Sequence, residues 1–232
     1  MVLLYSEFLY QVYNLSADLF NFIIYILALF TLLNFRVFKE EYKWILIAII
    51  GFALFEVLMS SVILLGITDN RFFNNPYAVF TILTIGIWYS KVINSKSINW
   101  IIVAIGSLFL FIMFYQIAIP TSPLRGFNNS IILFGLIIFM SFIVHRKLAK
   151  SPKIKNLKQE PLFWFNLSFL IYSLLKLIFK PITDAITPIS DDLAFIMGTI
   201  KNLSDPIFYF LLAVGLYKLK SQTFRPIASL WP

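Results

Sequence analysis

The chain has 232 residues, of which 60% are hydrophobic and 13% are charged. Soluble globular domains average about 45–50% apolar and about 25% charged residues, so this composition excludes an ordinary soluble fold. The formal net charge is +8, and the absence of cysteine excludes disulfides and thiolate metal sites.

Seven apolar runs follow one another along the chain, and each is long enough to cross a bilayer as a helix. Helices are expected because lipid cannot satisfy free backbone groups. The runs lie at about 16–35, 43–66, 77–93, 99–119, 129–145, 161–181 and 192–217. Since they leave only short loops, we predict an all-α polytopic membrane protein in which residues 1–232 form a single seven-helix bundle.

Basic residues alternate from loop to loop, and cytoplasmic loops preferentially retain Lys and Arg. Fourteen occur in the odd-numbered loops and the C-terminal tail: Arg36, Lys39, Lys43, Lys91, Lys96, Arg146, Lys147, Lys150, Lys153, Lys155, Lys158, Lys218, Lys220 and Arg225. Only Arg71, Arg125 and Lys180 occur on the opposite side. This pattern predicts an outer N-terminus and a cytoplasmic C-terminus. It also explains the positive charge without a nucleic-acid partner.

Tryptophan supports the same orientation, because indole rings favour the membrane interface. Four tryptophans fall at predicted cytoplasmic ends of spans: Trp44, Trp88, Trp100 and Trp164. Helix five has only Ser141 as a polar residue in its middle, and we expect this helix to face lipid.

The loop between spans five and six is the most basic part of the chain. Its cations are Arg146, Lys147, Lys150, Lys153, Lys155 and Lys158. Control of topology explains this cluster without any further role. The alternative interpretation is a docking site for anionic lipid or for an acidic cytoplasmic partner.

Ionisable residues also occur inside the predicted spans, where a charge costs at least ~2.5–3.5 kcal/mol and normally faces inward with a partner. Glu56 lies near the middle of span two. Lys201 and Asp205 lie near the middle of span seven at i, i+4 spacing, and Tyr209 continues the same side. Glu56 and Lys201 come to a similar depth, about 14–15 Å from the outer ends. They are therefore placed to pair, with Asp205 as a competing partner.

Span six has a polar face as well, since Asn166, Ser173, Lys176 and Lys180 fall within roughly 80° at 100° per residue. We group six residues as a candidate ion or proton relay, or as the floor of a small ligand site: Glu56, Asn166, Lys176, Lys201, Asp205 and Tyr209. The alternative is a structural ion-pair network that fixes helix register.

Pro206 directly follows Asp205 and cannot donate a hydrogen bond to the Asn202 carbonyl, so we expect a kink or loosened turn that acts as a hinge.

Residues 205–209 read D-P-x-x-Y, which resembles a motif in the seventh span of G-protein-coupled receptors. The seven spans and the outer N-terminus match that topology. However, span three ends in Trp-Tyr-Ser-Lys at 88–91 where those receptors place an acid-Arg pair, and their disulfide is impossible here. We therefore infer no membership.

Lys201 resembles the lysine that carries retinal in the last helix of retinal proteins. Microbial members place an Asp four residues before that lysine, whereas Asp205 follows Lys201 and span three has no acidic counter-ion. We expect no retinal and no other cofactor.

The only histidine, His145, is next to Arg146 at the end of span five, so the sequence has no histidine cluster for a metal or haem. No catalytic motif is present, and we expect a non-enzyme.

These patterns favour a sensory or receptor-type membrane module that relays a ligand or proton signal to a cytoplasmic partner. Two alternatives remain, namely a small or proton-coupled transporter and a non-catalytic subunit of a larger membrane complex. The abundance of Ile, Lys, Asn and Phe suggests an AT-rich bacterial genome. We therefore expect the plasma membrane, which is the bacterial inner membrane.

Overall fold

The described residues are entirely helical apart from turns. The computed structural model describes residues 2–38, 40–65, 74–119, 129–152, 154, 156–186 and 191–221, and no strand occurs among them. The helices are α1 (Val2–Asn34), α2 (Glu40–Leu64), α3 (Asn74–Ile93), α4 (Lys96–Ala118), α5 (Asn129–Lys150), α6 (Pro161–Ile186) and α7 (Asp191–Ser221). A short 3-10 helix, Leu157–Gln159, precedes α6. Each predicted span falls on one of these seven helices.

Five helices in the described part of the chain are long and apolar enough to cross a membrane. Their apolar stretches are Glu40–Val62, Pro76–Ile93, Lys96–Tyr115, Ile131–Lys150 and Pro161–Thr183. In α1 the apolar stretch is shorter, Leu19–Asn34. In α7 the polar run from Lys201 to Asp205 interrupts the apolar sequence. The prediction of a membrane-embedded helical protein is therefore confirmed at this level.

Helix α1 begins well before the predicted span. The first predicted span starts at about residue 16, whereas the helix is continuous over 33 residues from Val2. No glycine or proline occurs in this part of the sequence, so nothing in it interrupts the helix. The helix ends at Asn34, whose side-chain amide donates to the Phe30 carbonyl at 2.8 Å.

A tight turn joins α3 to α4. Asn94 adopts a left-handed conformation with φ of 49°, which asparagine tolerates better than most residues. Its backbone N–H donates to the Ser90 carbonyl at 2.8 Å and so closes the end of α3. The Ser90 hydroxyl donates to the Asn99 side chain across the turn, which makes α3 and α4 antiparallel neighbours.

The chain divides into two compact units, each described here by itself. The α6–α7 unit comprises residues 1–27 and 134–222, and the α2–α4 unit comprises residues 28–133 and 223–232. In the first, α6 packs along α7. In the second, α2, α3 and α4 pack in chain order.

Glycines allow the closest helix contacts in both units. A Cβ atom added at Gly51 would lie 2.0 Å from the Phe80 ring, so the absence of a side chain on α2 lets α3 approach. Gly215 does the same in the other unit, where an added Cβ would lie 2.6 Å from the Phe165 ring. Phe165 is fully buried, so its ring has little room to move.

Trp88 is fully buried and packs on Tyr89 with ring centroids 4.8 Å apart, so its indole is covered by protein. Helix α5 does not simply face lipid, because Ser141, Met140 and Val144 are fully buried on one of its sides. Its other side has exposed apolar side chains such as Phe142. A helix with few polar residues gives no sequence signal for the side that packs inward.

Candidate functional site

An ion pair joins α6 to α7 within the apolar stretch of α6. The Lys176 ammonium nitrogen lies 2.9 Å from both carboxylate oxygens of Asp205. Lys176 is about 10 Å of helix rise from Thr183, the end of that stretch. The two side chains are only 12% and 19% exposed, so water screens their attraction much less than at a protein surface.

Aromatic rings border this ion pair. The Lys176 ammonium lies 5.2 Å from the centroid of the Tyr172 ring, one turn earlier on α6, at cation–π distance. Tyr172 packs against Phe208 of α7 with centroids 4.5 Å apart. Phe208 in turn contacts Tyr209, which packs against Phe20 of α1 at 5.3 Å. A row of aromatic contacts thus runs from the Lys176 ammonium through Tyr172 to α7 and α1.

A buried hydroxyl lies on the same face of α6. Ser173 precedes Lys176 by three residues, so the two side chains are neighbours on the helix surface. Ser173 is fully buried, and its hydroxyl has no hydrogen-bond partner in the described part of the chain. Buried polar groups are almost always hydrogen-bonded, so this hydroxyl is able to donate to a further polar group beside Lys176.

Pro206 is buried inside α7, which continues as a helix through it from Asp191 to Ser221. The turn before it contains an additional hydrogen bond, from the Ser204 hydroxyl to the Lys201 carbonyl. Such bonds from serine to the preceding turn tend to bend helices. Asp205, the residue bonded to Lys176, is thus next to a proline that cannot donate a backbone hydrogen bond within α7.

A second polar contact joins α5 to α6 ten residues before Lys176. The fully buried Asn166 amide donates to the Ser141 carbonyl at 3.0 Å and also contacts Nδ1 of His145. Nδ1 of His145 also lies 3.3 Å from the Ser141 carbonyl, so an amide, an imidazole and a backbone carbonyl meet at this point between α5 and α6. Asn166 is therefore separated from the ion pair by about 15 Å along α6.

At the same end of the unit, the segment before α6 is attached to both α6 and α7. The Trp164 indole N–H donates to the Lys158 carbonyl at 2.9 Å. The Lys218 ammonium, near the end of α7, donates to the Gln159 side chain at 3.3 Å. We call residues 146–160 the basic segment. Through these two bonds its position depends on the cytoplasmic ends predicted for α6 and α7.

The other predicted site residues are distributed over both units. Glu56 is half-buried in α2, within the α2–α4 unit. Lys201 is half-buried and Tyr209 is buried, both in α7. A pairing of Glu56 with Lys201 therefore stays a prediction, and the partner of Asp205 on α6 is Lys176.

Four of the six predicted docking cations lie within the described residues. Arg146, Lys150 and Lys158 are exposed, and Lys147 is half-buried. Lys153 and Lys155 lie outside the described residues. The exposed cations are those free to contact a lipid headgroup or a protein partner.

Sequence reasoning missed two features of these contacts. His145 was considered only as a possible metal or haem ligand, but it contacts Asn166 and packs against Phe163 with ring centroids 5.6 Å apart. Tyr172 was not singled out at all. Its position four residues before Lys176 was the available signal, since i, i+4 side chains meet on a helix.

Among the described residues, no group of three or more His, Cys, Asp or Glu side chains could hold a metal ion. No protein-family model, characterised protein or solved structure matches the chain. The functional inference therefore depends on the geometry of the chain itself.

Proposed function

We propose that this chain is a seven-span protein of the bacterial plasma membrane, with its N-terminus outside and its C-terminus in the cytoplasm. The five strongly apolar helices support membrane insertion. The loop-by-loop alternation of Lys and Arg supports the number of spans and the orientation, because one missed span would reverse every later loop.

Within this topology, the chain acts as a non-catalytic sensory or receptor-type module. The observation that carries this proposal is the Lys176–Asp205 ion pair, which joins two helices inside the membrane immediately before Pro206. Intramembrane ion pairs are costly to form, and they commonly mark ligand or proton sites. A stimulus that changes this pair changes the bond between α6 and α7 at the turn best able to bend.

Helix α7 connects this site to the cytoplasmic side. It runs as one helix from Asp205 to Lys218, about 20 Å, and Lys218 contacts Gln159 in the basic segment. Tilting or rotating α7 at Pro206 therefore displaces a contact of the basic segment. The signal thus passes from the ion pair along α7 and through the Lys218–Gln159 hydrogen bond. The element that changes state is the hinge of α7 at Pro206.

The receiver in this proposal is a cytoplasmic protein with an acidic surface. The exposed cations Arg146, Lys150 and Lys158 provide the complementary charge. A transporter would use the same ion pair as a midplane substrate site. A subunit of a membrane complex would instead pair its remaining intramembrane charges with those of its neighbours.

Purification of the tagged chain from its native membrane in mild detergent, followed by mass spectrometry, separates these functions. The receptor function predicts a cytoplasmic signalling protein, such as a kinase, at stoichiometric amount. Replacing Arg146, Lys150 and Lys158 by Gln should remove it, while the same change at exposed Lys96 should not.

Several membrane proteins at stoichiometric amount would instead support the complex. Recovery of the chain alone would contradict both partner-dependent functions. Flux measurements in proteoliposomes with the Asp205→Asn variant would then test the transporter.

A further inference from the structure

We propose that Lys176, Asp205, Ser173 and Tyr172 form a binding site for a small zwitterion such as an α-amino acid. The inference rests on the proposed function and names the ligand of the same site. Two observations support it: the Lys176–Asp205 ion pair, and the neighbouring buried Ser173 hydroxyl, which lacks a partner in the described residues.

The charges of the site determine the class of ligand. Lys176 and Asp205 neutralise each other within the apolar stretch of α6. A ligand with one charge, whether anion or cation, would engage one member of the pair and leave the other unpaired in a poorly solvated environment, which is strongly unfavourable. A zwitterion replaces both partners at once, so no charge is left without a counter-charge.

The acidic half of the site already holds an ammonium group. The Lys176 ammonium contacts both Asp205 oxygens at 2.9 Å and lies 5.2 Å from the centre of the Tyr172 ring. A carboxylate facing an aromatic ring is a suitable receptor for any primary ammonium. In the bound state the ligand ammonium occupies this position, and the Lys176 side chain turns away from Asp205.

The basic half of the site recognises a carboxylate. Once displaced from Asp205, the Lys176 ammonium requires an anion within reach of its flexible side chain. Ser173, three residues earlier on the same face, supplies a hydroxyl donor with no partner in the described residues. A ligand carboxylate that accepts from both groups satisfies the buried hydroxyl, which otherwise stays unbonded.

A proton alone fits this arrangement less well. Protonation of Asp205 would remove the negative charge and leave the poorly exposed Lys176 cation beside the Tyr172 ring without a counter-charge. Protonation of Asp205 also supplies no hydrogen-bond acceptor for the Ser173 hydroxyl. The geometry thus favours a ligand with two opposite charges close together.

Thermal unfolding of the full chain in lipid nanodiscs tests this proposal, with unfolding followed by the fluorescence of its five tryptophans. The probes are the proteinogenic amino acids, together with the N-acetyl derivative and the methyl ester of each. We expect at least one amino acid to raise Tm by several degrees, because a ligand that binds only the folded state stabilises it. Its N-acetyl and ester derivatives, which each lack one charge, should give no shift.

Three variants localise the effect. Ser173→Ala should weaken the apparent affinity about tenfold, in keeping with the loss of one hydrogen bond to a charged group. The double variant Lys176→Met with Asp205→Leu removes both charges without leaving either unpaired, and it should show no shift with any probe. Ser168→Ala is the control, since Ser168 is also buried in α6 but its hydroxyl donates to the Phe165 carbonyl of its own helix. It should bind as the native chain does.

The proposal is overturned if no amino acid raises Tm, if a singly charged derivative does so equally well, or if the double variant keeps the shift. Failure of the ligand class is distinguishable from failure of the proposed function. A null result with these probes, combined with a structural response to Asp205→Asn at the basic segment, would reject the zwitterion and retain the relay.

Discussion

At the scale of single residues, two lysines are candidates to pair with Asp205. Lys201 lies four residues before it on the same helix, but the lysine at hydrogen-bond distance is Lys176 on α6. A lysine placed N-terminal to its acid at i, i+4 has the less favourable orientation relative to the helix dipole. A pair between helices also satisfies Asp205 while stabilising the contact of α6 with α7.

Removing both members of this pair should cost less than the two single losses added together. We expect Lys176→Met and Asp205→Leu each to lower the free energy of unfolding by about 3 kcal/mol, because each leaves a poorly solvated charge unpaired. The double variant should lose less than the sum of the single losses, since no charge remains. Chemical unfolding in detergent micelles measures all three values, and additive losses would show that the two groups do not interact.

At the scale of helices, the hydrophobic runs predicted the elements well and their ends less well. The starts of α6 and α7 lie within one residue of prediction, at Pro161 and Asp191. The start of α1 was missed because hydropathy reports where lipid begins, whereas the helix continues as long as its backbone bonds can.

Helix packing at Gly215 gives a second prediction. Gly215→Ala should destabilise the chain by about 1–3 kcal/mol, because the added methyl group would lie 2.6 Å from the buried Phe165 ring. Gly198→Ala on the same helix is the matched control. Nothing lies within 4 Å of its added Cβ, so it should be neutral or stabilise through better helix propensity. Equal losses of Tm in the two variants would contradict the close contact of α6 with α7.

At the scale of the whole molecule, the sequence predicted the helical membrane architecture but only part of the candidate site. The period of α6 placed Lys176 on a polar face, yet a helical period does not show which neighbour lies opposite. The missing information was which helix packs against the polar face of α6. Consecutive helices with a short connection are antiparallel neighbours, and Lys176 and Asp205 lie about 15 Å and about 21 Å from the ends that face each other. A long lysine side chain covers the difference.

The third prediction concerns the orientation of the chain in the membrane. It is directly testable because the natural sequence contains no cysteine. Single cysteines at exposed Leu65 and Ile119 should react with a membrane-impermeant maleimide on intact cells. Cysteines at exposed Lys96 and Lys150 should react only after permeabilisation. Reaction of Lys96→Cys on intact cells would contradict the cytoplasmic position of the loop between α3 and α4.

The central claim is that the ion pair inside the membrane controls the position of the cytoplasmic end of α7. The most direct measurement attaches spin labels at Lys150→Cys and Lys220→Cys, both exposed positions of the α6–α7 unit, and records their distance distribution in nanodiscs. We predict that Asp205→Asn shifts this distribution, because it breaks the bond to Lys176 beside Pro206, and that Gly198→Ala leaves it unchanged. A folded Asp205→Asn variant with the native distance distribution would contradict the relay.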